Sequence, residues 1–189
     1  MNYCSQCGEG VNFIVPDGDN RARHVCSACG YIHYENPKMV VGCIPEWEDK
    51  ILLCRRAIEP RYGLWTLPAG FMENEETSAE GASRETLEEA GAHVEVSQLF
   101  AMFSLPHINQ IYLMYRASMP DASFAAGTES LDVGLYEEKD IPWEELAFPV
   151  VNETLKLYFS DRQTGEFRVH SGDIIKESSE PLRYRVEHL

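Results

Sequence analysis

Three carboxylates crowd one short stretch of the sequence, Arg84-Glu85-Thr86-Leu87-Glu88-Glu89. If the stretch is helical, Glu85, Glu88 and Glu89 stand at i, i+3 and i+4 and share a face. Three like charges on one face repel, and nothing nearby supplies three cations. A hard divalent cation, Mg²⁺ or Mn²⁺, resolves the conflict, because it takes oxygen ligands and fills its other positions with water. An ion held that way neutralises phosphates and acidifies water. The plainer reading is a solvated acidic face, which is common on helices. Spacing alone does not choose between the two.

The cysteines make a second constellation. Four of the six form the pairs Cys4-Ser5-Gln6-Cys7 and Cys26-Ser27-Ala28-Cys29. The resulting C-x2-C-x18-C-x2-C lies within the spacing range of a four-thiolate zinc site. Each C-x-x-C turns two sulfurs toward one point, and Gly8 and Gly30 follow the pairs where a positive φ is often needed. Zn²⁺ held by Cys4, Cys7, Cys26 and Cys29 has a closed shell, so it is structural. Two disulfides or four unrelated thiols are the alternatives, and a redox pair lacks the βαβ context it needs. Residues 1–35 thus read as a zinc ribbon. So short a segment buries little core, and zinc binding, worth about 10–16 kcal/mol in small modules, supplies most of its folding energy. Cys43 and Cys54 lie in apolar stretches and read as small buried hydrophobes. His24 and His33 read as surface or packing residues, since four cysteines already satisfy the metal.

The chain has 189 residues, 44% of them apolar, enough for a buried core and one ordinary domain beside the ribbon. Sixteen Lys+Arg against 31 Asp+Glu give a net charge of −15, which opposes wrapping by nucleic acid. No apolar run approaches the ~18–20 residues a bilayer demands. The N-terminus has no basic segment leading into an apolar one. A cytoplasmic protein with no membrane partner is expected. Met39–Ile44 and Lys50–Arg56 read as a strand hairpin around the turn 45–49, with further strands over 93–103, 109–118 and 132–136. Thr77-Ser78-Ala79-Glu80 is a capping box and Gly91 a C-terminal stop, so a helix is expected over 78–90. A second helix is expected over 152–163, opened by Asn152, with Val151, Leu155, Tyr158 and Phe159 as its apolar stripe. Residues 166–189 are polar and mixed, and read as a C-terminal extension to a domain of residues 36–165.

The flanks of the acidic helix carry a resemblance. Gly70 to Glu76, seven residues, then Arg84 to Ala92 read as G-x5-E-x7-R-E-U-x-E-E-x-G-U. This resembles the Nudix box, the signature of the Nudix hydrolases. Every fixed polar and glycine position matches, while Thr86 and Ala92 stand where bulky aliphatic residues are usual. The lead-in Gly63-Leu64-Trp65-Thr66-Leu67-Pro68-Ala69-Gly70 is similar too, with Ala69 where glycine is common. The resemblance implies an α/β/α sandwich around a mixed sheet and hydrolysis of a nucleoside diphosphate linked to a second group. By position it makes Glu85, Glu88 and Glu89 the Mg²⁺ ligands, with the carbonyl around Ala69–Gly70 as a further one. Arg84 then holds a box glutamate, and Glu76 braces the loop. The catalytic base is a box glutamate or one on a later loop, for which Glu129 is the candidate and Asp132 the reserve. Arg55 and Arg56 end a strand before the box and are candidates to grip a phosphate, with surface ion pairing as the alternative.

A ribbon ahead of the box narrows the subgroup. The NADH pyrophosphatases carry a Ser-Gln-Pro-Trp-Pro-Phe-Pro-x-Ser motif after the box, whereas Phe103-Ser104-Leu105-Pro106-His107-Ile108-Asn109-Gln110 has no Trp-Pro. The chain is more similar to ribbon-bearing plant chloroplast FAD pyrophosphatases, through Asn36 to Cys43, Gly63 to Gly70 and Glu129-Ser130-Leu131. That implies FAD, or ADP-ribose with the same ADP half, as substrate. NADH cleavage and a non-cleaving nucleotide sensor are the competing readings, and an interaction module built on the ribbon is a third. The family's frequent dimers make a homodimer an assembly to test. Phe103, Tyr112 and Tyr115 are ring-stacking candidates for which a core role is the commoner outcome, as it is for Trp65 and Trp143.

Overall fold

The computed structural model describes residues 1–180 and 182–189. They form two compact units, Met1–Pro37 and Lys38–Leu189. The smaller unit is an antiparallel sheet of β1 (Val11–Ile14), β2 (Arg23–Cys26) and β3 (Ile32–His33), with Cys4 and Cys7 ahead of β1 and Cys26 and Cys29 at the turn from β2 to β3. β2 starts at Arg23, because Asp19 accepts the Asn20 and Arg21 N–H groups and turns the chain just before it.

The larger unit is built on β4 (Lys38–Trp47), β5 (Lys50–Arg56), β6 (Trp65–Thr66), β7 (Ala69–Phe71), helix α1 (Ser78–Ala90), β8 (Glu95–Leu105), β9 (Gln110–Ser118), β10 (Ser130–Tyr136), helix α2 (Pro149–Thr164), β11 (His170–Ser179) and β12 (Leu182–His188). The sheet order is β10-β5-β4-β9-β8-β11-β12, with β6 on β5 and β7 on β4. The pairs β4–β9 and β8–β11 are parallel and the rest antiparallel, so the sheet is mixed.

Period-two alternation assigns each helix its face. Ile51 and Leu53 of β5, with Val40 and Ile44 of β4, pack with Val150, Val151, Leu155, Tyr158 and Phe159 of α2. Their neighbours Leu52 and Cys54 pack with Ala90 at the end of α1. Val41 and Cys43 pack with Ala82 of α1. One helix therefore covers each face, giving the α/β/α sandwich. Cys43 and Cys54 are buried, as small hydrophobes should be. Among the described residues no helix is long and apolar enough to cross a membrane.

Local chemistry places α1 where the capping box puts it. Thr77 Oγ1 accepts the Glu80 N–H (3.2 Å), and the Glu80 carboxylate accepts the Thr77 N–H (2.8 Å). Such caps are worth about 1 kcal/mol each. Gly91 closes the helix in the left-handed conformation. α2 opens earlier than expected, at Pro149 rather than after Asn152. Proline at the first helical position has its φ preset and its missing N–H costs nothing there. The turn expected over 45–49 tightens to Glu48 and Asp49, since β4 runs on to Trp47.

Residues 166–189 are not an appendage. β11 lies parallel to β8, from His170 beside Ala101 to Asp173 beside Ser104, and β12 pairs with β11. Ile174 is fully buried, and Tyr184 and Val186 pack against the same core as α2. The aromatic candidates also settle into packing roles. Phe103, Tyr112 and Trp65 are buried, Trp143 packs on that core, and the Tyr115 hydroxyl lies 2.6 Å from Ser78 Oγ.

Candidate functional site

The site is built where β7 hands the chain to α1. Arg84 organises it. Its Nε and Nη2 donate to the two Glu76 oxygens (3.0 and 2.8 Å), and Nη1 donates to Glu85 (2.8 Å) and Glu88 (3.1 Å). Nη2 also reaches the Phe71 carbonyl (3.2 Å), tying the helix to the end of β7. Glu76 accepts the Glu73 N–H as well (2.7 Å), and these bonds, Arg84's above all, hold its carboxyl down at about 2. A planar guanidinium suits this work, since one fork can serve several carboxylates with fixed geometry.

The three helix glutamates sit in three environments. Glu89 is buried, and burial pushes its carboxyl up to about 8. The Ala69 N–H, donated to Glu89 Oε2 at 3.2 Å, and the nearby Arg56 charge oppose that rise. Glu85 is largely shielded and its carboxyl is also raised, first by burial. It lies directly on Gly70, where any Cβ would overlap its carboxylate. That contact is the physical reason a glycine opens the loop. Glu88 is the exposed member, with 58% of its side-chain surface accessible. The acidic face is therefore not simply solvated, because two of its three members are withdrawn from water.

Glu129 belongs to this group. Its charge raises the carboxyls of both Glu85 and Glu89, and its carbonyl accepts the Ala57 N–H at 2.8 Å. Asp132 pairs across strands with Arg55, accepts the Val133 N–H, and acts on Tyr136. Arg56 brings its guanidinium over the Phe148 ring (5.1 Å) and donates from Nε to the Pro60 carbonyl (3.0 Å). Arg55 donates from Nε to the Gly63 carbonyl (2.9 Å). The two arginines thus hold the 57–63 loop, and Arg56 also lies within reach of Glu89's field. Thr86 and Ala92, the two unusual box positions, are both fully buried, with the Thr86 hydroxyl donating to the Ala82 carbonyl (2.9 Å). Sequence reasoning missed the segment Ala125–Gly127, whose N–H groups bond the end of α1. Its only sequence signal is a glycine two residues before Glu129.

In the smaller unit the sulfurs of Cys4, Cys7, Cys26 and Cys29 all lie within 4.8 Å of one another. Contacts of 3.8 Å (Cys4–Cys29), 3.4 Å (Cys7–Cys26) and 3.6 Å (Cys7–Cys29) are too long for S–S bonds. They match the ~3.8 Å edge of a tetrahedron with ~2.3 Å zinc–sulfur bonds. The donor sets differ in kind: four soft thiolates suit Zn²⁺, and carboxylates suit Mg²⁺ or Mn²⁺.

Residues 36–147 match the family model described as the NUDIX domain. The chain belongs to the Nudix hydrolase family. Residues 2–35 match the model described as Nudix N-terminal. The box of a Nudix hydrolase implies Mg²⁺-dependent cleavage of phosphoric anhydrides. A NUDIX hydrolase from Nitrosomonas europaea, known from its crystal structure, is 54% identical, with a TM-score of 0.91 over 93% of this chain and 100% of that one. An ADP-ribose pyrophosphatase of Methanocaldococcus jannaschii is 31% identical over 62% of this chain and 71% of its own length. The NAD-capped RNA hydrolase NudC of Vibrio parahaemolyticus is 33% identical over 53% of this chain and 36% of its own length. This Nudix chain therefore spans much less than the full length of that last relative.

Proposed function

We propose that this Nudix hydrolase cleaves the diphosphate of FAD, giving FMN and AMP, or of ADP-ribose, giving AMP and ribose 5-phosphate. The observation that carries the reading is the withdrawal of Glu89 and Glu85 from water beside Glu129 and Arg56. Buried carboxylates facing a third carboxylate are costly unless a cation joins them. Glu85, Glu88 and Glu89, with a carbonyl around Ala69–Gly70, would hold Mg²⁺, which when bound would supply positive charge for the phosphates and a more acidic water.

Arg84 aims Glu85 and Glu88, and Glu76 keeps Arg84 in place. Arg55 and Arg56 grip the phosphates with their terminal nitrogens. Glu129 takes the proton of the water whose oxygen bonds to phosphorus as the bridging P–O bond breaks. The ADP-ribose half of the reading is supported by the M. jannaschii relative's activity. The FAD half is supported by the stretches outside the box, Asn36 to Cys43 and Glu129 to Leu131. A second reading, cleavage at an NAD moiety, is favoured by the relatives that hydrolyse NAD-capped RNA. It is opposed by the absence of Trp-Pro between Phe103 and Gln110.

Chromatography of products from FAD, ADP-ribose, NADH, NAD, diadenosine polyphosphates and nucleoside triphosphates under Mg²⁺ decides among these. Glu89→Gln is expected to cut kcat by about 100-fold or more, in line with losing a group that acts on the reacting centre. A fully active, metal-insensitive Glu89→Gln enzyme contradicts the reading.

A further inference from the structure

α1 has no basic residue in its last turn, so its terminal carbonyls need donors from elsewhere. Two come from one segment. The Ala125 N–H donates to the Ala90 carbonyl (2.8 Å), and the Gly127 N–H donates to the Glu89 carbonyl (3.0 Å). Approach this close requires glycine, because a Cβ at residue 127 would overlap the Glu88 carbonyl oxygen. From the helix side, a Cβ at Gly91 would meet the Ala125 carbonyl oxygen at 2.9 Å. Two residues beyond Gly127, the chain is fastened again. The Ala57 N–H donates to the Glu129 carbonyl (2.8 Å), and the Ser130 N–H closes back on the Gly127 carbonyl (3.2 Å). The backbone of Glu129 is thus strapped between the end of β5 and the last turn of the helix that carries Glu85, Glu88 and Glu89.

We propose that Gly127 is a positioning residue: it seats the Ala125–Gly127 strap on the box helix and so fixes where the Glu129 carboxylate stands over the reacting phosphate. The proposal rests on Glu129 being the base. The same backbone bond that satisfies Glu89's carbonyl sets the distance between the metal-holding face and the proton acceptor, so the two cannot drift apart. A methyl group at 127 has to lift the strap from α1. A shift on the order of 1 Å at a reacting group can cost about 100-fold in rate.

Steady-state kinetics on ADP-ribose and FAD with Mg²⁺, for Glu129→Gln, Gly127→Ala and the pair combined, test this. Glu129→Gln should lower kcat by about 100–10,000-fold. Gly127→Ala should lower kcat by about 10–100-fold while leaving KM, and the Mn²⁺ affinity read by electron paramagnetic resonance, unchanged. The combined variant should be no slower than Glu129→Gln alone, because the glycine acts only through that carboxylate. Circular dichroism checks folding. Should Gly127→Ala fail to fold, Ala125→Pro removes the strap's other N–H bond, the one to the Ala90 carbonyl, and is read identically. A crippled Glu129→Gln beside a full-speed Gly127→Ala overturns the positioning role alone. So does a combined loss equal to the product of the two. Full turnover by Glu129→Gln removes the base assignment and the positioning role together.

Discussion

The two sets of candidate metal donors are organised in opposite ways. In Met1–Pro37 four sulfurs converge to within 4.8 Å of one another, on knuckles whose own backbone supports them: the Gln6 N–H donates to Cys4 Sγ and the Cys29 N–H to Cys26 Sγ, both at 3.4 Å. Of the described residues in that unit only Cys4, Cys26 and His33 are buried; Cys7, Cys29, Phe13, Tyr3 and Tyr34 are exposed. In Lys38–Leu189 the carboxylates are spread over buried, shielded and exposed settings, and a guanidinium joins two of them, Glu85 and Glu88, to Glu76. A large core fixes the backbone there, so the site does not depend on an ion to exist. The lesson is a division of labour. Four thiolates in so small a unit would let a metal make the fold, whereas in the large unit the fold makes the candidate metal site.

The sharpest break in that comparison is loss of the four-thiolate site. Cys26→Ser, or a strong chelator, is expected to cost the smaller unit most of the ~10–16 kcal/mol that such sites supply. In an amide-correlation spectrum, signals of residues 1–37 should collapse while those of 38–189 keep their dispersion. Retained dispersion in both would mean the thiolates do not build the ribbon.

A smaller effect is expected at Arg84. Lysine cannot present a fork to Glu76 and also reach Glu85 and Glu88. Arg84→Lys should destabilise the larger unit by on the order of 2 kcal/mol, the worth of one or two hydrogen bonds to charged groups. Denaturant titration measures it, and a midpoint equal to the parent's would show that the bridge adds nothing to stability.

The gentlest probe is pH. Glu89 ionises near 4.5 when exposed and near 8 in the fold. Below 4.5 both states hold the proton. Between 4.5 and 8 the unfolded chain releases it and the folded chain does not, so stability falls as pH rises, then levels off. Chelator-treated protein should therefore melt at lower temperature at pH 8 than at pH 5, and Glu89→Gln should flatten that difference. An undiminished slope in Glu89→Gln would assign it to another group.

What the sequence made legible follows the range of the forces involved. α1 was readable to the residue because Thr77, Glu80 and Gly91 act locally. The face partition of β4 and β5 was readable as alternating apolar residues. The apolar stripe of α2 is legible but its start is not, because Asn152 resembles a cap and Pro149 outranks it. β11 was illegible for a specific reason. Its buried positions are His170, Gly172 and Ile174, a pattern without hydrophobic period. His170 tolerates burial because its Nε2 lies 2.8 Å from Asp161 Oδ2, and Gly172 is needed because a Cβ there would overlap the Glu187 carbonyl. Within the site, the box residues announced themselves. The environment of each carboxylate did not, since burial of Glu89 and the strap on α1 depend on strands far away in the chain.

β11 has one further practical meaning. It occupies the flank of β8 from Ala101 to Ser104, beside the buried rings of Phe100 and Phe103. Anyone trimming the polypeptide after Gly165 to obtain a tidier crystallisation target would strip that flank bare, leaving main-chain groups and aromatic surface ready to zip onto a neighbour. The shortened product would be a gelation hazard rather than a minimal enzyme.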